Sequence, residues 1–135
     1  MEFSDSQLGT TKLTQMLAEM NAEGGFEIAV LTDKDGLPIA SATIPGEDTD
    51  RQSAVVALVQ RTAVQVSDRL GMAATDEISV FDAQGRRLVC RPFDINGHEM
   101  ILAVLIPDKQ KKYRRLTNQA VLAIRQMIST STQQE

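Results

Sequence analysis

The chain has 135 residues and a mass of 14.8 kDa, which is room for one domain and too little for two. Its 42% apolar and 24% charged content is that of a globular protein with a core, and it excludes a disordered chain. The formal charge of −4 is unevenly spread: residues 86–115 carry eight Lys and Arg against three Asp and Glu, and the remainder six against fifteen. An acidic body with one basic segment is not a general polyanion binder.

Other classes fall away on similar grounds. No apolar run approaches the roughly 18 residues needed to span a bilayer, so no membrane association is expected. The opening residues Met1 to Ser6 have neither the basic nor the apolar region of a secretory signal. A single cysteine, Cys90, cannot form an internal disulfide, which fits a reducing compartment and a cytoplasmic location. Four Phe, one Tyr and no Trp are too few for a base-stacking platform, so nucleic acid is not an expected partner.

From Gln7 to about Asn21, Leu13, Met16, Leu17 and Met20 fall on one stripe at helical spacing, with Thr11, Gln15, Ala18 and Glu19 facing away. Ser4 to Ser6 supply a cap, and Glu23-Gly24-Gly25 a stop. Phe26–Thr32 and Leu37–Thr43 read as two strands joined by Asp33-Lys34-Asp35-Gly36, whose Asp-Gly pair suits a tight turn. Pro38 cannot donate to a ladder, which places the second strand at a sheet edge.

Asp50 is the predicted cap of a long second helix ending at Leu70, with Gly71 as its stop. On a helical wheel Leu58, Thr62, Val55, Val66, Val59, Leu70, Ala63 and Val56 fill an arc roughly 160° wide. Val64 and Ala57 lie opposite, among Gln60, Arg61 and Asp68. Contact with one sheet does not need so wide an apolar arc, so a second packing partner is implied.

Three strands follow, Glu77–Asp82, Arg87–Phe93 and Glu99–Ile106, turned at Asp82-Ala83-Gln84-Gly85 and Asn96-Gly97. Counting back from the first turn pairs Glu77 with Cys90 and leaves Pro92 beyond the short third strand. The last strand is apolar on both faces and therefore central. Asp108 is the predicted cap of a third helix, buried through Tyr113, Leu116, Ala120, Ala123, Ile124, Met127 and Ile128. The order α-β-β-α-β-β-β-α, with helices needed on both sides of an antiparallel sheet, describes a three-layer α+β sandwich with five strands. It forms a single domain over residues 1–135, with its core at about 8–128.

Catalytic chemistry has little to stand on. His98, the one histidine, reads as a solvated turn residue, and Cys90 as a small buried apolar group beside Leu88. No His, Cys or carboxylate grouping has metal-ligand spacing, and Asp33-x-Asp35-Gly36 lacks the later ligands of a calcium loop. No glycine loop leads into a helix to hold phosphate. No catalytic, metal or cofactor-binding residue is therefore expected. Lys109–Arg115 is the densest charge run, read as a solvated helix face or as a docking patch for an acidic partner.

The stretch Gly25-Phe26-Glu27-Ile28-Ala29-Val30-Leu31-Thr32-Asp33-Lys34-Asp35-Gly36-Leu37-Pro38-Ile39-Ala40-Ser41 resembles the signature hairpin of the roadblock (dynein light-chain) superfamily, closest in style to its bacterial MglB-like branch. Element order and lengths from about residue 8 to residue 128 agree. The resemblance implies a profilin-like domain with the first and third helices on one face and the second on the other. It implies a homodimer, formed by the second helix against its mate and by pairing of third strands, through Val55, Val56, Val59, Ala63, Val66, Ile78 and Val80. It further implies a Ras-like small GTPase as partner, whose nucleotide cycle the protein modulates without catalytic residues or cofactor of its own. Arg61, Gln65, Asp68 and Arg69 are the candidate contacts on the second helix. The alternatives are a small-molecule sensor and a purely structural scaffold subunit.

Overall fold

The computed structural model describes residues 5–133, with side chains from 9 to 128. Its elements are α1 (Asp5–Gly24), β1 (Ile28–Asp33), β2 (Pro38–Ala42), α2 (Thr49–Leu70), β3 (Ile78–Phe81), β4 (Arg87–Ile95), β5 (His98–Ile106) and α3 (Arg114–Gln133). Of the cap expected within Ser4 to Ser6, Ser4 lies outside the described residues, and α1 is already helical at Asp5. The strands form one antiparallel sheet in the order β2-β1-β5-β4-β3, so the doubly apolar β5 is central as its pattern requires.

Strand alternation sorts the core into two layers. Leu31, Val89, Leu102, Val104 and Ile106 pack with Leu13 and Leu17 of α1 and Leu116, Ala120 and Ile124 of α3. Val56 of α2 packs on the other face with Cys90, Ile101 and Ala103. Each fully buried Leu or Ile contributes about 1.5–3 kcal/mol, so the α1/α3 layer, with the most such residues, dominates stability.

Two hairpins use one device. The Asp33 carboxylate accepts from the N–H groups of Asp35 and Leu37, both at 2.9 Å, and Asp82 does the same for Gln84 (2.9 Å) and Arg86 (2.8 Å). Gly36 and Gly85 follow at φ 89° and 87°, values that a side chain would strain. Each loop therefore holds three residues between its closing pair, which shifts the β3–β4 register by one: Ile78, and not Glu77, opposes Cys90. Pro92 pairs with β5 beyond the end of β3, as expected.

Two predicted caps move. The side chain of Asp48, not Asp50, accepts from the Arg51 N–H and starts α2, and Gly71 ends it at φ 68°. Asp108 does not cap α3. Its carboxylate accepts from the Gln110 N–H inside a loop, and Lys109–Tyr113 precede the helix. At the β2 edge the strand starts at Pro38, and Asn21 Nδ2 donates to the Ala42 carbonyl at 3.1 Å.

Cys90 is fully buried, and desolvation pushes its thiol up from 9.0 to about 12. The folded state thus keeps a proton that the unfolded chain releases, so the stability this thiol contributes is complete below pH 9 and is lost as pH rises towards 12. The loss should approach about 1.4 kcal/mol per pH unit. Urea titrations across this range should give a shallower decline for Cys90→Ala than for the native chain. Identical slopes would reject the assignment.

Candidate functional site: the outer face of helix α2 and the β3 edge

Helix α2 rests on its sheet with an unusual face. The buried residues are Ser53, Val56, Ala57, Gln60 and Ser67. Three of them, Ser53, Gln60 and Ser67, are polar and recur every seven residues, close to two helical turns, so they line one stripe. Gln60 is only 5% exposed, and among the described residues its Oε1 and the Ser53 Oγ find no hydrogen-bond partner. Gln60 and Ala57, expected to face outwards, thus face the sheet.

The apolar arc points the other way. Val55, Leu58, Val66 and Leu70 are 47%, 56%, 47% and 71% exposed, while Val59 and Ala63 on its margin are half-buried. Val56, expected in the same face, is 4% exposed and belongs to the core. Leu58 and Leu70 complete the exposed surface. Both were visible in the helical arc.

This surface continues onto the sheet. Ile28, Leu105, Leu88 and Val80 are neighbours in register across β1, β5, β4 and β3, forming one apolar row on the α2 side. The first three are half-buried and Val80 is exposed. With Val55 and the Glu47, Asp48 and Arg51 side chains, three of these residues border a cavity of about 270 Å³. At the edge, Ser79, Val80 and Phe81 are exposed, and Ile78 is half-buried against the Val56 group. An apolar helix face, an apolar sheet row and an open strand edge adjoin here. Contiguous exposed apolar surface of this kind marks interaction sites.

Arg61, Gln65, Asp68 and Arg69 are all exposed and lie on one flank of the same helix, beside Leu58. A polar rim beside an apolar centre is the usual anatomy of an interface.

Beneath β3 lies a network with no counterpart in the sequence reading. The Tyr113 hydroxyl donates to Glu77 Oε2 at 2.6 Å and accepts from Arg87 Nη2 at 2.9 Å. Arg87 also donates to Ser79 Oγ through Nε and Nη2, and its guanidinium stacks between the Phe81 and Tyr113 rings at 4.8 and 4.5 Å. Burial, reinforced by the Glu77 carboxylate, pushes the Tyr113 phenol up and keeps it a donor. The network ties the edge strand to the loop before α3. A nearby Arg91 fixes α3 to β4 through Thr117 and Asn118.

The residues considered for catalysis are not gathered. Cys90 lies inside the α2 layer and His98 is exposed in the β4–β5 hairpin. Among the described residues no group of three His, Cys, Asp or Glu could hold a metal ion, and no helix is long and apolar enough to cross a membrane.

The fold and this edge-plus-helix arrangement define a roadblock-type domain. The Roadblock/LC7 domain family profile matches residues 12–105, and the chain belongs to that family. Its fold is similar to MglB of Myxococcus xanthus (TM-score 0.68, 15% identity, 93% of this chain and 98% of the other). It is also similar to the gliding protein MglB of Thermus thermophilus (0.69, 18%, 88% and 90%) and to a Roadblock/LC7 domain of Streptomyces avermitilis (0.70, 15%, 88% and 97%). At these identities the likeness concerns the fold. No curated protein matches the sequence.

Proposed function

We propose that the protein is a homodimeric, non-catalytic regulatory module of the cytoplasm that binds a Ras-like small GTPase and modulates its nucleotide cycle. The observation that carries this reading is the outward apolar face of α2, continuous with the open β3 edge and flanked by Arg61, Gln65, Asp68 and Arg69. Two copies joined along α2 and β3 cover the apolar surface and leave the charged flanks for the GTPase. Val55, Val59, Ala63, Val66, Ile78 and Val80 serve in the pairing face together with Leu58, whereas Val56 serves in the core. The cavity beside Val55 is smaller than the roughly 300 Å³ at which small-molecule pockets begin, so this face lends the sensor alternative no support.

The test is a pull-down from native lysate in separate GDP and non-hydrolysable GTP-analogue arms. A Ras-like protein of roughly 20 kDa is expected with one nucleotide and not the other, because a regulator must discriminate the two states. Reversing Arg61 and Arg69 together to Glu should weaken capture about tenfold, the order expected for rim charges that steer a partner. Capture of no GTPase in either arm overturns the reading, and undiminished capture by the reversed variant moves the site off this flank.

A further inference from the structure

The two ends of the sheet differ in chemistry. At the end where β1 begins and β5 finishes, the C-terminus of α1 and the loop before α3 enclose a cleft of about 860 Å³. Lys109, Lys111, Lys112, Arg114 and Arg115 line it, five cations within seven residues, and Glu23 is the one acid among the described lining residues. Among the described residues carboxylates answer only two: Glu23 lies 3.3 Å from Arg115, and Glu77 lies 3.9 Å from Arg114. Among the described residues no ion pair reaches the three lysines, and all three are exposed.

A solvated charge run would sit on a loose loop, and this one is fastened. Tyr113 is buried and held by Glu77 and Arg87. The Asp108 carbonyl and carboxylate accept from the N–H groups of Lys111 and Gln110. The Lys111 side chain lies over Gly25, its Nζ 2.5 Å from where a Cβ would stand, so the bare backbone at φ 70° makes room for it. Cations on a fastened backbone in a concave site, most of them without an internal counter-charge, lose less freedom on binding an anionic ligand than a loose run would.

We infer that this cleft is a docking site for a carboxylate-rich peptide segment of a partner protein, separate from the α2 face. Charge complementarity selects an acidic occupant. Nucleic acid is disfavoured because the one aromatic residue at the cleft is buried with its hydroxyl engaged, leaving no ring on which a base stacks. A bilayer is disfavoured because, among the described residues, none of the large exposed apolar side chains lies along the cleft, and the surface there is concave. The acidic remainder of the chain repels both polyanions and confines binding to a short segment. The inference does not depend on the GTPase reading.

Fluorescence anisotropy with a labelled oligo-glutamate peptide of about eight residues, on the full chain, tests it. Saturable binding is expected that weakens at least about tenfold between about 50 and about 300 mM salt, as screening of surface charges requires. The double variant Lys109→Ala/Lys112→Ala should lose binding with its circular dichroism unchanged. Lys12→Ala/Lys34→Ala, which removes the same charge elsewhere, should bind as the native chain does. Absent binding at low salt, equal binding of an oligo-glutamine peptide, or equal weakening by the two double variants would overturn the proposal. Tighter binding of oligo-dT or phosphatidylserine vesicles than of the peptide would overturn it in favour of that occupant.

Discussion

Glutamate at Val66 should convert the proposed dimer into folded monomers, while glutamate at Val56, ten residues earlier on the same helix, should unfold the protomer. Val66 is 47% exposed in the single chain, so its carboxylate stays hydrated there and costs little. In the proposed pair it is buried against the partner's helix without a cation, a penalty of several kcal/mol and enough to dissociate an ordinary interface. Val56 touches Cys90, Ile101 and Ala103, all nearly inaccessible, and a charge there has no route to water. Light scattering with circular dichroism reads both variants. The first should give about 14.8 kDa with helicity intact, and the second a loss of helicity at any mass. A Val66→Glu chain that keeps the mass of a pair would remove α2 from the interface. A folded Val56→Glu chain would reject the facing of the helix.

Arg87→Met should cost about 2–3 kcal/mol of stability, unusual for a residue beside an edge strand. The substitution removes the donor that serves Ser79 and Tyr113 and the cation 3.6 Å from Glu77 Oε2. Glu77 is then left 13% exposed with the Tyr113 hydroxyl as its one short contact. A half-buried carboxylate keeps its desolvation cost when its partner goes, so the single variant should be worse than Arg87→Met/Glu77→Gln. Urea melts of the two single variants and the double variant complete the cycle. Coupling below about 0.5 kcal/mol would reduce the network to an ordinary surface pair.

What was legible in the residues was local. The Asp-x-x-Gly turns announce themselves because one carboxylate and one positive φ close each loop within five residues. The central place of β5 follows from its two apolar faces, and the roadblock fold from the hairpin and the element order. Counting back from Gly85 misplaces the register of β3 by one, because the turn closes at Arg86, a loop one residue longer than its Gly suggests.

The facing of α2 could not be read from periodicity. An apolar arc locates a contact surface on a helix without saying whether the chain or another copy fills it. Here the helix meets its own sheet through Ser53, Ala57, Gln60 and Ser67, residues a hydropathy pattern assigns to solvent. The Glu77–Arg87–Tyr113 network was invisible for another reason. Its members lie 26 and 36 residues apart, and only the sheet brings them together. Asp108 looked like a helix cap because the same carboxylate-to-amide bond also closes an ordinary turn.

The two borders of the sheet have different valence. Along β2, Pro38 has no N–H to offer and Asn21 occupies the Ala42 carbonyl, so no further strand gains a full ladder there. Along β3 the ladder is open. A unit with two open borders can add copies without limit and becomes the repeat of a fibre. A unit with one open border can use it once, and the self-complementary way to do so is two-fold. Strand addition by this sheet is therefore confined to the β3 border, because the proline that opens β2 denies the opposite border a full ladder.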